Sequence, residues 1–300
     1  MKIVVVGAGA VGAFFGLKLA QTGASVSFLL KPGRAADYQE HGLSLQLGGQ
    51  RLAPPVNFSE DPVLLRSADL VLVCVKSGQT AEVARQLAQY LAPSAVVLSL
   101  QNGISNAPIL ARQLTQPVIP TAVYVAVQRS TPYQVEHRGR GELALGREWQ
   151  AAPWAPLFAQ AGIPLLWGDR IEVLQWEKLV MNCALNALSA LTELSYGQLA
   201  RIPAVPALLD ALVAECVSVA HAEGMVLPAD IRQRLDHLIE GMAGQRSSTH
   251  ADVSAHRPSE IEAINGEIVK RAQAHGLAAP ANLALYAAIQ ALDLSATTPN

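Results

Sequence analysis

Residues 2–30 read KIVVVGAGAVGAFFGLKLAQTGASVSFLL. Lys2 to Val6 is a short, apolar, β-branched run, the texture of a strand buried on both faces of a parallel sheet. It leads directly into Gly7, Gly9 and Gly12, spaced G-x-G-x-x-G. A helical stretch, Ala10 to Thr22, follows, and then a second β-like run, Ser25 to Leu30. Strand, glycine turn, helix, strand is the context in which this otherwise weak pattern becomes informative. Gly7 permits the tight turn, Gly9 lets a pyrophosphate approach the backbone, and Gly12 lets helix and strand pack closely. Ala8, Ala10 and Val11 complete the turn, and phosphates then sit on the N–H groups of the helix N-terminus. Two readings compete. A secretory leader cut near Ala8-Gly9-Ala10 leaves the glycine spacing and the second strand as accidents. A purely structural glycine turn ignores the βαβ context.

The second strand also bears on which dinucleotide is held. An NAD site commonly places an acid about 20 residues past the glycines, on the ribose hydroxyls. Here the strand ends Leu29-Leu30-Lys31-Pro32-Gly33-Arg34, with two cations and no acid. Lys31 and Arg34 would attract a 2′-phosphate, so the expected cofactor is NADP(H). The alternative is a solvated basic loop.

The chain has 300 residues, 51% hydrophobic and only 15% charged, against about 25% charged in an ordinary chain. That supports a large core, with room for a subunit interface such as that of a homodimer. A formal charge of −2, with no long basic run, argues against a nucleic-acid partner. Cys74, Cys183 and Cys216 are far apart in sequence and read as buried thiols of a reducing compartment, neither disulfide framework nor zinc site. The most helical apolar segment, Ala204 to Ala222, is interrupted by Asp210 and Glu215, so no membrane span is expected and the expected setting is cytoplasmic.

Strand and helix alternate onward from the glycine turn. A short helix follows Arg34. Gly42 to Leu47 alternates like a half-exposed strand, Gly48-Gly49 is a hairpin turn, and Arg51 to Val56 returns. Asp69 to Val75 and Ala95 to Leu100 read as buried parallel strands, each followed by a helix (Gln79 to Leu91, Ile104 to Leu114). This is the signature of a doubly wound sheet. Val118 to Val127 and Tyr133 to Gly146 predict an antiparallel extension of that sheet, then a helix over Pro153 to Ala161 and a last strand over Ile163 to Trp167. After Gly168 only helical patterns remain: Asp169 to Leu191, Pro203 to Glu223, Pro228 to Met242, Ser259 to His275 and Pro280 to Leu292. The expected organisation is α/β: a Rossmann-type doubly wound domain over residues 1–168 and an all-helical domain over residues 169–300. Ser295 to Asn300 reads as a frayed terminus.

Ligands of a doubly wound sheet sit beyond the carboxyl ends of its strands. Lys76 and Asn102 occupy that edge on two strands, although Asn102-Gly103 alone reads as a turn. On the long helix of the second domain Lys178, Asn182 and Asn186 are four apart and share a face. A lysine partly desolvated among apolar neighbours becomes a usable proton donor; the alternative is that it snorkels to solvent. Gln245 to Glu260, QRSSTHADVSAHRPSE, is too polar for core. Ser247, Ser248, Thr249, His250, Asp252, His256 and Glu260 are its candidate site residues, and Ser259 a candidate helix cap. A Ser–His–Asp hydrolase reading lacks a nucleophile elbow, and a metal site at His250, Asp252 and His256 lacks ligand spacing. No metal is therefore expected.

Together these pieces resemble the ketopantoate reductase (2-dehydropantoate 2-reductase) family. The resemblance rests on GAGAVG, CVKSGQT, SLQNGI, WEKLVMNCALNALSAL and SEIEAINGEIVKRAQAHGLAAPAN, in that order over nearly the whole chain. It implies NADPH-dependent reduction of ketopantoate to pantoate, in the route to pantothenate and coenzyme A. It also implies that Lys178 is the catalytic lysine and proton donor, with Glu260 the substrate-binding acid. Asn102 and Lys76 would stand at the cofactor and substrate side, and Asn182, Asn186 and Ser248 at substrate positions. Three departures stand out. Lys31 replaces a common arginine, Tyr196 precedes Gly197 where an asparagine is frequent, and Glu262 stands where Asp is commoner. Rival readings keep the cofactor with another 2-keto acid, a 3-hydroxy acid or an imine, or make the chain an NADPH-binding sensor without turnover.

Overall fold

The computed structural model describes residues 1–297, in two compact units, Met1–Ile171 and Glu172–Asn300. In the first unit β1 (Lys2–Val6) leads through the glycine turn into α1 (Ala10–Ala20) and β2 (Ser25–Leu29). Then come α2 (Ala35–His41), the hairpin β3 (Ser44–Leu47) and β4 (Gln50–Leu52), and β5 (Asn57–Ser59). A 3-10 turn over Pro62–Ser67 precedes β6 (Leu70–Val73). Next are α3 (Thr80–Tyr90), β7 (Val96–Ser99), α4 (Asn106–Ala111) and β8 (Val118–Pro120). The unit closes with β9 (Ala122–Thr131), β10 (Gln134–Gly146), α5 (Ala155–Gln160) and β11 (Leu165–Gly168).

Six strands form one wholly parallel sheet in the order β5-β2-β1-β6-β7-β8. Counting only these six in chain order, the arrangement is 3-2-1-4-5-6, that of dinucleotide-binding sheets. The order reverses between β1 and β6, so the glycine turn opens at the switch point. Alternate residues of β1 feed two cores. Ile3 and Val5 pack with Phe14, Phe15 and Leu17 of α1, while Val4 and Val6 pack with Leu65, Val83, Leu87 and Leu110. A strand buried on both faces has no polar alternation, which is why VVV was legible.

The expected antiparallel extension is instead a separate sheet. The Val118–Val127 run is cut at Thr121: β8 ends the parallel sheet, and β9 pairs antiparallel with β10. β10 also runs parallel to β3 and β11, giving the order β11-β10-β3-β4. Pro120 lacks the N–H a continuing ladder needs, so the chain is free to change sheets there. The second sheet contributes Leu45, Val135, Leu143 and Leu145 to the core of α1.

The second unit is helical among its described residues: α6 (Ile171–Thr192, begun at the last residue of the first unit), α7 (Tyr196–Leu199), α8 (Val205–Ala222), α9 (Ile231–Gly241), α10 (Ser248–Val253), α11 (Asn265–Ala274) and α12 (Pro280–Thr297). The expected Ser259–His275 helix is broken, because a 3-10 turn over Ile261–Ala263 precedes α11. α12 is helical through Thr297, and residues 298–300 of the terminus expected to fray, Ser295 to Asn300, lie outside the described residues.

By length and hydropathy alone α8 is apolar enough to cross a membrane, contrary to the sequence expectation. Its packing says otherwise. Leu209, Leu212, Val213, Cys216, Val219 and Ala220 are buried, and Glu215 accepts hydrogen bonds from the Ala281 and Asn282 backbone N–H groups (2.8 and 2.9 Å). That carboxylate caps the first turn of α12 and packs α8 against it.

Candidate functional site

Gly7 adopts φ +99°, a backbone that side chains rarely take. A Cβ on Gly12 would lie 2.1 Å from the Gly7 carbonyl oxygen and 3.1 Å from Cys74 Cβ. These are the turn and the close packing that the sequence predicts. Gly9 is different: the nearest atom to a Cβ there is the Cys74 carbonyl oxygen at 3.9 Å. Gly9 is extended, α1 has no side-chain cap, and its first turn carries no acid. An uncapped helix start with an open glycine beside it presents N–H groups to an anion. The residues present therefore fit a dinucleotide pyrophosphate.

Lys31 and Arg34 are exposed in the loop after β2. The Glu60 carboxylate, which follows β5, accepts from the Arg34 and Ala35 backbone N–H groups (both 2.6 Å). Backbone N–H groups of Ala35, then Gly33 and Arg34, hold the Glu60 carboxyl below its ordinary value. So an acid does stand at this loop. It escaped the sequence reading because it arrives from another strand, about 26 residues after Arg34, rather than from the end of β2.

Lys76 and Asn102 follow β6 and β7, and both are half-buried. A closed set of side-chain bonds joins their loops. Asn106 donates to the Asn102 carbonyl (2.6 Å) and to Ser77 Oγ (3.0 Å). Thr80 donates to Asn106 Oδ1 (2.7 Å), and Gln101 donates to Thr80 Oγ1 (2.7 Å) and to the Val75 carbonyl (3.0 Å). Thr80, Gln101 and Asn106 are buried, so each of these polar groups must be paired within the protein. The sequence showed Asn102 at a strand edge but not this framework, whose bonds between the two loops join residues 21 to 29 apart.

On α6, Lys178 and Asn182 are half-buried and Asn186 is buried. The Asn186 Oδ1 accepts from the Tyr196 hydroxyl (3.5 Å), and its carbonyl accepts from Ser247 Oγ (2.9 Å). Ser247 also accepts from the His250 N–H (2.9 Å), capping α10, on whose first position Ser248 is exposed. Burial pushes the Tyr196 hydroxyl up, so it stays protonated and donates. Tyr196 thus fixes Asn186. Gly197 is required because a Cβ there would come within 2.8 Å of Ala243.

Glu260 opens the 3-10 turn before α11, and its neighbour Ser259 is held by Asp293 (2.7 Å from Ser259 Oγ). Asn265 at the start of α11 donates to the Cys183 carbonyl of α6 (3.0 Å). The segments carrying Ser248 and Glu260 are therefore anchored to α6 at Asn186 and Cys183, one helical turn apart. Glu262 accepts from the Tyr286 hydroxyl.

Two other sequence candidates separate from the site. His250 pairs with Ser254 (3.3 Å) and Asp252 with Arg257 (3.3 Å). Among the described residues no three His, Cys, Asp or Glu gather as a metal site. All three cysteines are free; Cys183 and Cys216 are buried, whereas Cys74 is only half-buried because it sits under the open glycine turn. Burial and the adjoining Cys216 push the Cys183 thiol up, which removes it as a nucleophile.

Residues 3–148 match the family model of ketopantoate reductase PanE/ApbA, and residues 170–293 match that of its C-terminal domain. A 2-dehydropantoate 2-reductase of Halobacterium salinarum is 32% identical, over 93% of this chain and 95% of its own. This chain belongs to the ketopantoate reductase family. The crystal structure of a PanE/ApbA family ketopantoate reductase from Ralstonia eutropha JMP134 superposes with a TM-score of 0.93 at 40% identity, covering 99% of this chain and all of that one. D-mandelate dehydrogenase, solved with NADH and anilino(oxo)acetate, shares the fold (TM-score 0.90, 23% identity, 99% and 100% coverage).

Proposed function

We propose that this member of the family reduces 2-dehydropantoate to pantoate, in the route to pantothenate and coenzyme A, with NADPH as the reductant. The observation that carries the reading is the chain's likeness to named 2-dehydropantoate 2-reductases over nearly its full length. The enzyme is a nicotinamide-dependent oxidoreductase. Its domains divide the work, residues 1–168 holding the dinucleotide and residues 169–300 the keto acid.

When bound, the dihydronicotinamide supplies a hydride to the ketone carbon. The rest falls to the protein. Gly7 to Gly12 give the pyrophosphate an open turn and helical N–H groups. Lys31 and Arg34 meet the 2′-phosphate. Lys76 and Asn102, locked by Asn106, Thr80 and Gln101, meet the nicotinamide end. Lys178 Nζ polarises the ketone oxygen and gives it a proton as the hydride arrives, an interaction that strengthens as alkoxide charge develops. Glu260 accepts from the substrate hydroxyl. Asn182 and Ser248 orient the acid, and Asn186, bonded to Tyr196 and Ser247, sets where Ser248 begins its helix. Assembly as a homodimer belongs to the same reading and is supported by the apolar excess of the sequence.

NADH is the second reading, favoured by one observation, the Glu60 carboxylate at the Lys31–Arg34 loop. The test is loss of reduced-cofactor absorbance with ketopantoate, NADPH and NADH in parallel. Fast oxidation of NADPH alone is expected. Equal rates would sink the Lys31/Arg34 argument and keep the reaction. Oxidation of neither, with NADPH bound, would move the substrate to another keto acid.

A further inference from the structure

Arg129 reads in the sequence as part of a polar turn after a strand. In the fold it sits near the end of β9 and reaches the phosphate turn 121 residues earlier. Its Nη2 donates to the Ala8 carbonyl. Its Nη1 donates to the Tyr38 hydroxyl (3.1 Å) and to the Pro132 carbonyl (2.6 Å). Tyr38 is buried on α2, against Phe58 and Tyr133 (ring centroids 5.3 Å from each), and the Arg34 guanidinium lies 6.0 Å from its ring centre. One guanidinium therefore ties the middle of the glycine turn to the helix that follows the ribose-side loop.

The Ala8 carbonyl and the Gly9 N–H belong to a single planar trans peptide and point in opposite directions. A cation bonded to that carbonyl fixes the plane, turns the Gly9 N–H away from Arg129, and polarises the amide so that its N–H donates more strongly. We propose that Arg129 is a positioning residue for the dinucleotide, holding the Ala8–Gly9 peptide with its N–H toward the pyrophosphate and coupling that turn to Tyr38 and the Lys31–Arg34 loop. The inference rests on the dinucleotide reading given above but not on the identity of the keto acid. It assigns to the end of β9 a part in cofactor affinity that neither glycine spacing nor strand-edge position discloses. Lysine carries the charge but has no planar fork with which to reach three separate acceptors.

The test is a fluorescence titration of the full chain with NADPH, and separately NADH, for wild type, Arg129→Gln, Arg129→Lys and Tyr38→Phe. Steady-state constants and Tm are measured beside it. Arg129→Gln is expected to raise the Kd and KM for NADPH about tenfold, equivalent to about 1.4 kcal/mol. At saturating cofactor kcat is expected to change less than about twofold, and KM for the keto acid to stay put. Arg129→Lys should fall between the two. Tyr38→Phe should raise the Kd about threefold in the wild type and not at all in Arg129→Gln, because the two act as one unit. A Kd within about twofold of wild type in Arg129→Gln, whatever its Tm, overturns the proposal. Should that variant not fold, an unchanged Kd in both Arg129→Lys and Tyr38→Phe overturns it equally. Wild type that binds NADPH but leaves ketopantoate unreduced would overturn the substrate assignment alone, and the titration still decides the role of Arg129. Wild type that binds neither cofactor sinks both.

Discussion

The two units prepare for ligands in different ways. In the first, the groups we propose for the pyrophosphate are backbone: the glycine turn and the uncapped start of α1 would work by what their residues lack. In the second, the groups we propose for the keto acid are side chains on one face of α6 and on two segments stitched to it, Ser247 to Asn186 and Asn265 to Cys183. A backbone site is written in spacing, because only glycine tolerates the geometry. A side-chain site is written in residue identity, and its partners are brought together by packing that no local pattern announces. The contrast also says how each unit fails. A backbone site is destroyed by adding one methyl group; a side-chain site loses its chemistry while its fold stands.

Gly12→Ala presses hardest on that contrast. The new Cβ meets the Gly7 carbonyl oxygen at 2.1 Å, a backbone atom that cannot step aside. We expect a stability loss of about 3 kcal/mol or more and an NADPH Kd raised at least about tenfold. Thermal melts and titration check both, and a variant that binds NADPH normally would break the claim that Gly12 closes the turn. A smaller effect is expected of Thr80→Val, which takes from Gln101 Nε2 one of its two acceptors, leaving the Val75 carbonyl, and from Asn106 Oδ1 the Thr80 hydroxyl donor. It should cost about 1–3 kcal/mol and lower kcat/KM several-fold as the Asn102 and Lys76 loops loosen, whereas Thr80→Ser keeps the hydroxyl and should restore both. Stability lost with kcat/KM intact would show that the network supports the sheet and not the site.

Much of this was legible beforehand for a physical reason. The buried strands β1, β6 and β7 announce themselves as unbroken apolar runs, and the glycines as a fixed spacing. The break at Pro120 was less visible, since a strand that changes sheets keeps the same alternation on both sides. Glu60, Arg129 and Asn106 were invisible as site residues. Each acts through a hydrogen bond to backbone or to a distant side chain, with nothing local to mark it. On α6, spacing placed Lys178, Asn182 and Asn186 on one face and apolar surroundings suggested a proton donor, but the substrate roles entered through family resemblance. The buried Tyr196–Asn186 contact then explained a departure that sequence comparison alone could only record.

The central claim, that the helical unit supplies the proton donor while the glycine unit supplies cofactor affinity, is tested most directly by Lys178→Ala. Turnover of ketopantoate and the Kd for NADPH are measured on the same preparation. We expect kcat to fall by about 10²–10⁴-fold, the usual contribution of a positioned acid, with the Kd within about twofold of wild type. A Kd that rises in step with the loss of turnover, or a kcat that survives, would contradict the account.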